Sequence, residues 1–496
     1  MTERSGRGGN ARSTSGDIER AFAGDGLLAS LSSAAREAGT GGAYLSGLYL
    51  TDVLTGVRPG GILVVCGGDT AAWSRLFASA TERIDISLEK SGGVHCLVTK
   101  AREGGDGRCV AVVPLAAGGI EASLRNAGFT AAATAVDITG AGPGALIDPF
   151  GAVEDLDRKK LRTVPGFRPA GAPAGAIRAV ELCHRYGLEA EGKTLAALKE
   201  ASCRFVEHPP ASVWAAIARL ASSDGLSRIA GDLRRTGVLS ALLPEVSAVF
   251  DTPQNYYHHL GVWEHTLETL DNLEEMLEEP ARFFKAYGAR VAAHLGATVE
   301  GGVDRRAFLG FAALVHDIGK PAAMTVEPNG RIRFKGHQRE GARLARGVAA
   351  RLGLGQVGRR RLVGLVGHHM RLGFLLKEGE SAESRLRAIS EMGSLTVEVA
   401  MLSLADRLAT RGEASSEEAL ERYRRMVNRV IADYFWNRDC PELVRGRDVI
   451  IHAGVPPGPE VARMLFAVRV AQREATTSSR QQALEFMAPD FKGRMR

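Results

Sequence analysis

The sequence predicts an α+β protein: a small mixed α/β domain followed by a long all-α remainder. Three observations carry this. Short apolar runs bounded by glycines, Ile62–Cys66 the clearest, sit in the first third of the chain and read as buried strands. From Ala176 onward apolar residues recur at helical spacing. The 496 residues exceed what one hydrophobic core serves, which points to about three domains or subdomains.

Hydrophobic content of 45% and charged content of 24% are those of an ordinary globular protein. A net charge of +6 and a pI near 9.0 permit a polyanionic partner without requiring one, because the excess is thinly spread. The cysteines Cys66, Cys96, Cys109, Cys183, Cys203 and Cys440 form no close cluster, so reduced, mostly buried thiols are expected. The first residues lack the apolar core of a leader, and no stretch approaches the roughly 20 apolar residues of a membrane span. A cytoplasmic protein without a membrane partner is the expectation.

In chain order, residues 1–24 open on Gly, Ser and Arg and are expected to be disordered. Asp25–Ala38 is amphipathic through Leu27, Leu28 and Leu31. After the strand at Ile62–Cys66 come a helical Ala71–Thr81 and strand-like runs at Val94–Lys100 and Arg108–Val113. Gly118–Asp148, rich in Gly, Ala and Thr, fits neither period. Residues 25–165 thus form the α/β domain, and residues 166–250 a helical module broken at His208-Pro209-Pro210. Helices are predicted from Val262 through Leu277, over Phe308–Ile318, from His337, over Leu362–Val366, over Ala400–Leu408 and over Ser416–Phe435.

The candidate chemistry lies between residues 251 and 412. Eight of the twelve histidines fall between 258 and 369, a crowding that independent core histidines do not explain. His265 falls on the inner face of its helix. His258, two turns earlier, shares that face, and with His259 is placed at a pocket rim. His316 and Asp317 in L-V-H-D-I-G-K-P stand about 100° apart around a helix end, so both reach one ion over its shoulder. His337 opens the next helix, His368-His369 close the one after, and Asp406 interrupts an apolar face. A buried Asp needs a partner or a cation. Imidazole and carboxylate together suit a divalent ion, Mg, Mn, Ni, Fe or Zn, with one or two bound. Lys320 either steadies a substrate phosphate as a point charge or faces water.

The fragments V-W-E-H-T-L, L-V-H-D-I-G-K-P, F-K-G-H and A-D-R-L resemble the HD phosphohydrolase superfamily, and in particular the HD domain of some bacterial CCA-adding enzymes. That resemblance implies His265, His316, Asp317 and Asp406 as core ligands, and His337 with His369 (or His368) at a second ion. Further upstream, D-P-F-G-A-V-E-D-L-D-R-K-K-L-R at Asp148–Arg162 is similar to a segment of the tRNA nucleotidyltransferase and poly(A) polymerase family. So are Tyr44–Gly56 and the P-P-G-P turn at Pro456–Pro459. The implied architecture is a nucleotidyltransferase-like head, a helical neck, an HD-type domain at 251–412 and a helical tail at 413–496.

One departure shapes the functional expectation. Nucleotidyl transfer needs paired carboxylates for two Mg²⁺ ions, yet R-P-G-G-I-L-V-V-C-G-G and R-C-V-A-V-V-P-L contain none. The sequence therefore predicts an inactive head on an HD-type metal-dependent phosphohydrolase, with Asp317 and Lys320 catalytic. Its substrate would be a phosphate ester: a nucleotide, a cyclic phosphate or an RNA end. The alternatives are a tRNA nucleotidyltransferase or poly(A) polymerase-type RNA-processing enzyme, or a noncatalytic RNA- or nucleotide-binding protein with tRNA as a possible partner. The arginines of Ser416–Phe435 either touch an RNA backbone or form a solvated face.

Overall fold

The computed structural model describes residues 14–38, 41–81, 83–88, 94–99, 108–167, 173–202, 210–254, 261–410 and 416–488. The chain divides into two compact units. The first is Met1–His208 with Asp232–Leu242; the second is Pro209–Gly231 with Leu243–Arg496.

The first unit runs α1 (Thr14–Gly24), α2 (Gly26–Ala38), β1 (Ala43–Ser46), α3 (Leu48–Thr55), β2 (Ile62–Cys66) and α4 (Thr70–Ala80). It continues with β3 (Arg83–Leu88), β4 (Val94–Thr99), β5 (Val110–Pro114), α5 (Gly119–Arg125), β6 (Ala135–Asp137) and β7 (Leu146–Ile147). Then come α6 (Ala152–Asp157), α7 (Pro173–Tyr186) and α8 (Gly192–Ser202). One seven-stranded sheet has the order β3-β4-β5-β2-β1-β6-β7. β2 and β5 pair in parallel, Ile62 opposite Val110, and the other pairings are antiparallel. A central strand covered on both faces must be apolar along its length, and β2 is: Ile62, Val64, Val65 and Cys66 are all buried. Leu28, Leu31, Leu45, Phe77 and Val112 complete the core.

Carboxylates in this unit are tied down. Asp69 caps α4 by accepting from the Ala71 amide at 2.9 Å. Asp52, 1% exposed, accepts from the Arg185 guanidinium twice at 2.8 Å, from the Tyr186 hydroxyl at 2.8 Å and from the Gly60 amide at 3.1 Å. Asp25 pairs with Arg108 and accepts from the Tyr49 hydroxyl.

Several details depart from the sequence expectations. The disorder expected through residue 24 gives way to a helix from Thr14, because Ile18 and Phe22 are buried against the core. β1 and β3 were not foreseen, and the ambiguous Gly118–Asp148 resolves into α5, a 3₁₀ turn, β6 and β7. Cys66 and Cys440 are free thiols, but Cys109 is disulfide-bonded, so the expectation of reduced cysteines fails there.

α9 (Pro210–Ala221) belongs to the second unit, α10 (Leu226–Arg235) crosses the division after Gly231, and α11 (Val238–Leu242) returns to the first. The second unit resumes with α12 (Pro244–Ser247), α13 (Val262–Glu278), α14 (Pro280–Phe284), α15 (Gly288–Leu295), α16 (Arg305–Val315) and α17 (Lys320–Ala323). It goes on through α18 (His337–Arg351), α19 (Gln356–His368), α20 (Arg371–Glu378), α21 (Ala382–Met392) and α22 (Thr396–Leu408). α23 (Glu417–Asp439), α24 (Gly446–Ala453), α25 (Pro459–Arg473) and α26 (Arg480–Phe486) complete it.

α16 is the centre of this unit. Asp304 caps it through the Ala307 amide at 2.9 Å, and Phe308 and Phe311 are buried, each contributing about 2–3 kcal/mol. Both rings pack on Trp214 of α9, with centroids 5.1 and 5.4 Å apart. α22 is buried from Thr396 to Ala405. By length and composition Ala382–Leu408 is apolar enough to cross a membrane, unlike the sequence reading, and 72% of its apolar window is buried inside the protein. Its Glu398, fully buried, binds His294 at 2.9 Å and contacts Arg305 and Arg361, so α15, α16, α19 and α22 are braced by one carboxylate.

Candidate metal centre

The site forms where α16 ends. A Cβ on Gly319 would collide with the His337 carbonyl oxygen and the Gly341 amide nitrogen. Glycine there lets the loop after α16 lie directly on the start of α18, and so brings His316 and Asp317 against His337. Lys320, expected either over a phosphate or in water, is buried: its ammonium lies 2.7 Å from Asp317 Oδ2 and donates to Gln254 Oε1 at 3.2 Å.

Three histidines are set by the same device. The Nδ1 atoms of His316, His337 and His369 lie 2.7, 2.8 and 2.7 Å from the carbonyls of Ala313, Phe334 and Val366, each three residues upstream. A carbonyl only accepts, so each Nδ1 carries the proton and each Nε2 keeps a bare lone pair in the neutral ring. The Nε2 atoms then converge on Asp317. His316 Nε2 is 3.1 Å from Oδ2, and His265 Nε2 is 3.9 Å from the same oxygen. His337 and His369 approach Oδ1 at 3.4 and 3.9 Å. One carboxylate thus faces two nitrogen pairs, one through each oxygen. His265, His316 and Asp317 form one group able to hold an ion; Asp317, His337 and His369 form another.

Two features fit a cation. The Nε2 atoms of His337 and His369 face each other at 3.1 Å, which in this tautomer sets lone pair against lone pair. His316 Nε2 is buried without a hydrogen-bond partner, a costly state for a polar atom, and Asp317 Oδ2 has the Lys320 ammonium beside it at 2.7 Å but no aligned hydrogen bond. Electrostatics agree. Burial pushes the Asp317 carboxyl up, but the neighbouring His316 ring and the Lys320 ammonium prevail and hold it well below the usual range. Burial, then His337 and His316, push His369 down to about 3. Nitrogen and carboxylate donors suit a divalent ion of the Zn, Fe, Ni, Mn or Mg type.

Asp406 touches the cluster through His265, whose Nε2 is 2.9 Å from Oδ1. His368 is half-buried, with Glu391 and Arg371 for charged neighbours, and His369 is the member of the cluster. His258 and His259 lie outside the described residues. Above the cluster opens a cavity of about 570 Å³ lined by Asp317, Lys320, His337 and Asp406, and by Lys377, Arg407, Arg422, Phe334, Phe374 and Tyr423. Sequence reasoning missed Gln254, Arg407 and Tyr423, of which only Arg407, adjacent to Asp406, carried a local signal; Arg422 stands among the arginines of Ser416–Phe435.

The family model described as HD domain matches residues 262–411. The A-adding tRNA nucleotidyltransferase of Deinococcus radiodurans is 29% identical over 69% of this chain and 74% of its own length. The CC-adding tRNA nucleotidyltransferase of Thermus thermophilus is 31% identical over 69% of this chain and 72% of its own. The multifunctional CCA protein of Xanthomonas campestris is 27% identical over 88% and 99%. A CCA-adding enzyme solved with ATP superposes at TM-score 0.62 with 15% identity, covering 95% of this chain and 96% of that one. The Thermotoga maritima CCA-adding enzyme complexed with tRNA gives 0.57 and 15%, covering 93% and 94%. At these identities the two structures speak for the fold.

These relatives overturn the expectation of a phosphohydrolase carrying an inactive head. The Deinococcus and Thermus proteins are transferases by name, and a ligand set fixes where an ion sits without naming the reaction it serves. With 31% identity across 72% of the Thermus protein, the chain belongs to the tRNA nucleotidyltransferase family.

Proposed function

We propose that this chain works at the 3′ end of tRNA as a nucleotidyltransferase-class RNA-processing protein, with tRNA and a nucleoside triphosphate as its ligands. The supporting observation is the extent of the likeness: 88% of this chain aligned with 99% of a multifunctional CCA protein. In nucleotide addition the terminal ribose oxygen bonds the α-phosphorus and pyrophosphate leaves. The test is extension of 3′-truncated tRNA with labelled CTP or ATP and Mg²⁺, where lengthened product is expected. Bound tRNA that is never lengthened overturns the transfer.

That outcome would favour a second reading, tRNA binding without addition, for which one observation speaks. β2 and β5 carry no carboxylate, and Asp52, Asp69, Asp137, Asp148 and Asp155 are engaged in caps, turns or side-chain bonds.

The HD cluster belongs to this reading as a divalent-metal site. His265, His316 and Asp317, with Asp406 behind His265, would hold one ion, and Asp317, His337 and His369 a second. A bound ion supplies a Lewis-acid contact for a phosphate oxygen. Asp317 supplies both of its oxygens, the Nδ1 bonds fix the imidazoles, and Lys320 balances the carboxylate's charge.

A further inference from the structure

A second cavity, about 470 Å³, opens between α14 and α23 and is lined by Arg282, Lys285, Arg424, Arg425, Asn428 and Arg429, with Glu421 the carboxylate lining it. We propose that this cavity binds the phosphodiester backbone of RNA, as a docking surface separate from the metal cluster. The proposal rests on the reading of tRNA as a ligand and places part of that contact.

The arginines are loosely held. Arg282 is 3.6 Å from Glu275, Arg424 is 3.8 Å from Glu417 and from Glu421, and Arg425 is 3.7 Å from Glu421. These separations lie beyond hydrogen-bond reach. Among the described residues Arg429 alone of these arginines is hydrogen-bonded to a carboxylate, Glu380 at 3.0 Å. On the same helix Asp433 binds Arg385 at 2.6 Å and Arg473 at 2.5 Å, which shows what a structural pair looks like here. The partners Glu275, Glu417 and Glu380 do not line the cavity. A guanidinium with unfilled donors is suited to forked binding of phosphate oxygens.

The backbone is shaped around the cavity as well. Lys285 has φ 48°, a left-handed value that disfavours a side chain. Asn428 donates to the Phe283 carbonyl at 3.0 Å and so ties the start of that turn to α23. Lys285 has no carboxylate within 4.0 Å among the described residues.

Arg425 and Arg429 stand about one helical turn apart, about 6 Å along the axis, a spacing at which they can engage neighbouring phosphates of one strand.

The test is tRNA affinity of the full-length protein as a function of salt, with wild type compared with Arg424→Ala/Arg425→Ala and Arg424→Lys/Arg425→Lys. Thermal stability and metal content report on folding. Removing two phosphate contacts should cost about tenfold or more in affinity and lower the log–log salt slope by about 2, with the lysine pair keeping the slope. Wild type that binds and an alanine variant with unchanged affinity and slope overturn the inference alone. Wild type that does not bind tRNA overturns the reading beneath it. Inorganic phosphate binding that the alanine pair loses, with tRNA affinity unchanged, overturns the assignment to RNA.

Discussion

Buried acids in the sheet-containing unit and the buried acid of the metal cluster are handled in opposite ways. In the sheet-containing unit a buried carboxylate is surrounded by donors. Asp52 takes two guanidinium N–H groups, a phenol and an amide, and Asp155 takes the Arg162 guanidinium at 2.6 Å and the Thr130 hydroxyl at 2.6 Å. In the helical unit Asp317 is as deeply buried, but four imidazoles surround it, and three of them present lone pairs. Burial of charge is common to both regions and marks neither as a site. What separates them is whether the polar atoms are already spent. In the first unit's buried carboxylates they hold the fold; beside Asp317, His316 Nε2 remains without a hydrogen-bond partner.

The sharpest way to break this contrast is Asp317→Ala. It removes the group shared by both candidate ion groups, so metal retained after dialysis should fall to background by elemental analysis. Retention of the wild-type complement would end the claim that Asp317 is the hub. Asp52→Ala should leave metal content unchanged and cost about 3 kcal/mol in urea unfolding, because it strands Arg185 and Tyr186. A loss under 1 kcal/mol would show that the network is incidental.

Asp25 gives the smallest expected effect and a pH signature. Burial alone would push its carboxyl up, but the hydrogen bonds from Arg108 and Tyr49 prevail and hold it at about 2, below the ordinary 3.8. A pKa lowered by folding gives stability that is present above the unfolded value and is lost as pH falls through the folded one. About 2 kcal/mol should therefore disappear between pH ~4 and ~2. Asp25→Asn should flatten that part of the urea-midpoint profile, and identical profiles would refute the assignment.

Much of the helical unit is legible because its period is regular. The helix from Val262 and the helix opening at His337 lie where apolar spacing puts them. L-V-H-D-I-G-K-P draws its meaning from its company, since an adjacent His and Asp is common by chance and it is the histidines and Asp406 at long range that single it out. The first unit is less legible. β1 has four residues, A-Y-L-S, too short for periodicity, and α1 hides two buried side chains in Gly-, Ser- and Arg-rich surroundings. The brace at Glu398 is silent in sequence because His294, Arg305 and Arg361 come from separate helices. The functional misreading has a physical origin too: two bare strands outweighed the length of the match, although local absence of ligands says nothing about what the whole chain descends from.

The excursion of residues 209–231 into the second unit bears on how this protein can be taken apart. The HD match begins at residue 262, and a fragment cut there would look like a self-contained module. It would leave behind Trp214, the ring on which Phe308 and Phe311 rest, and so uncover aromatic surface on the helix that ends at His316. The chain leaves the first unit, comes back through Asp232–Leu242 and leaves again. No single scission yields two whole parts, so in genetic dissection or domain grafting the pieces are interlaced.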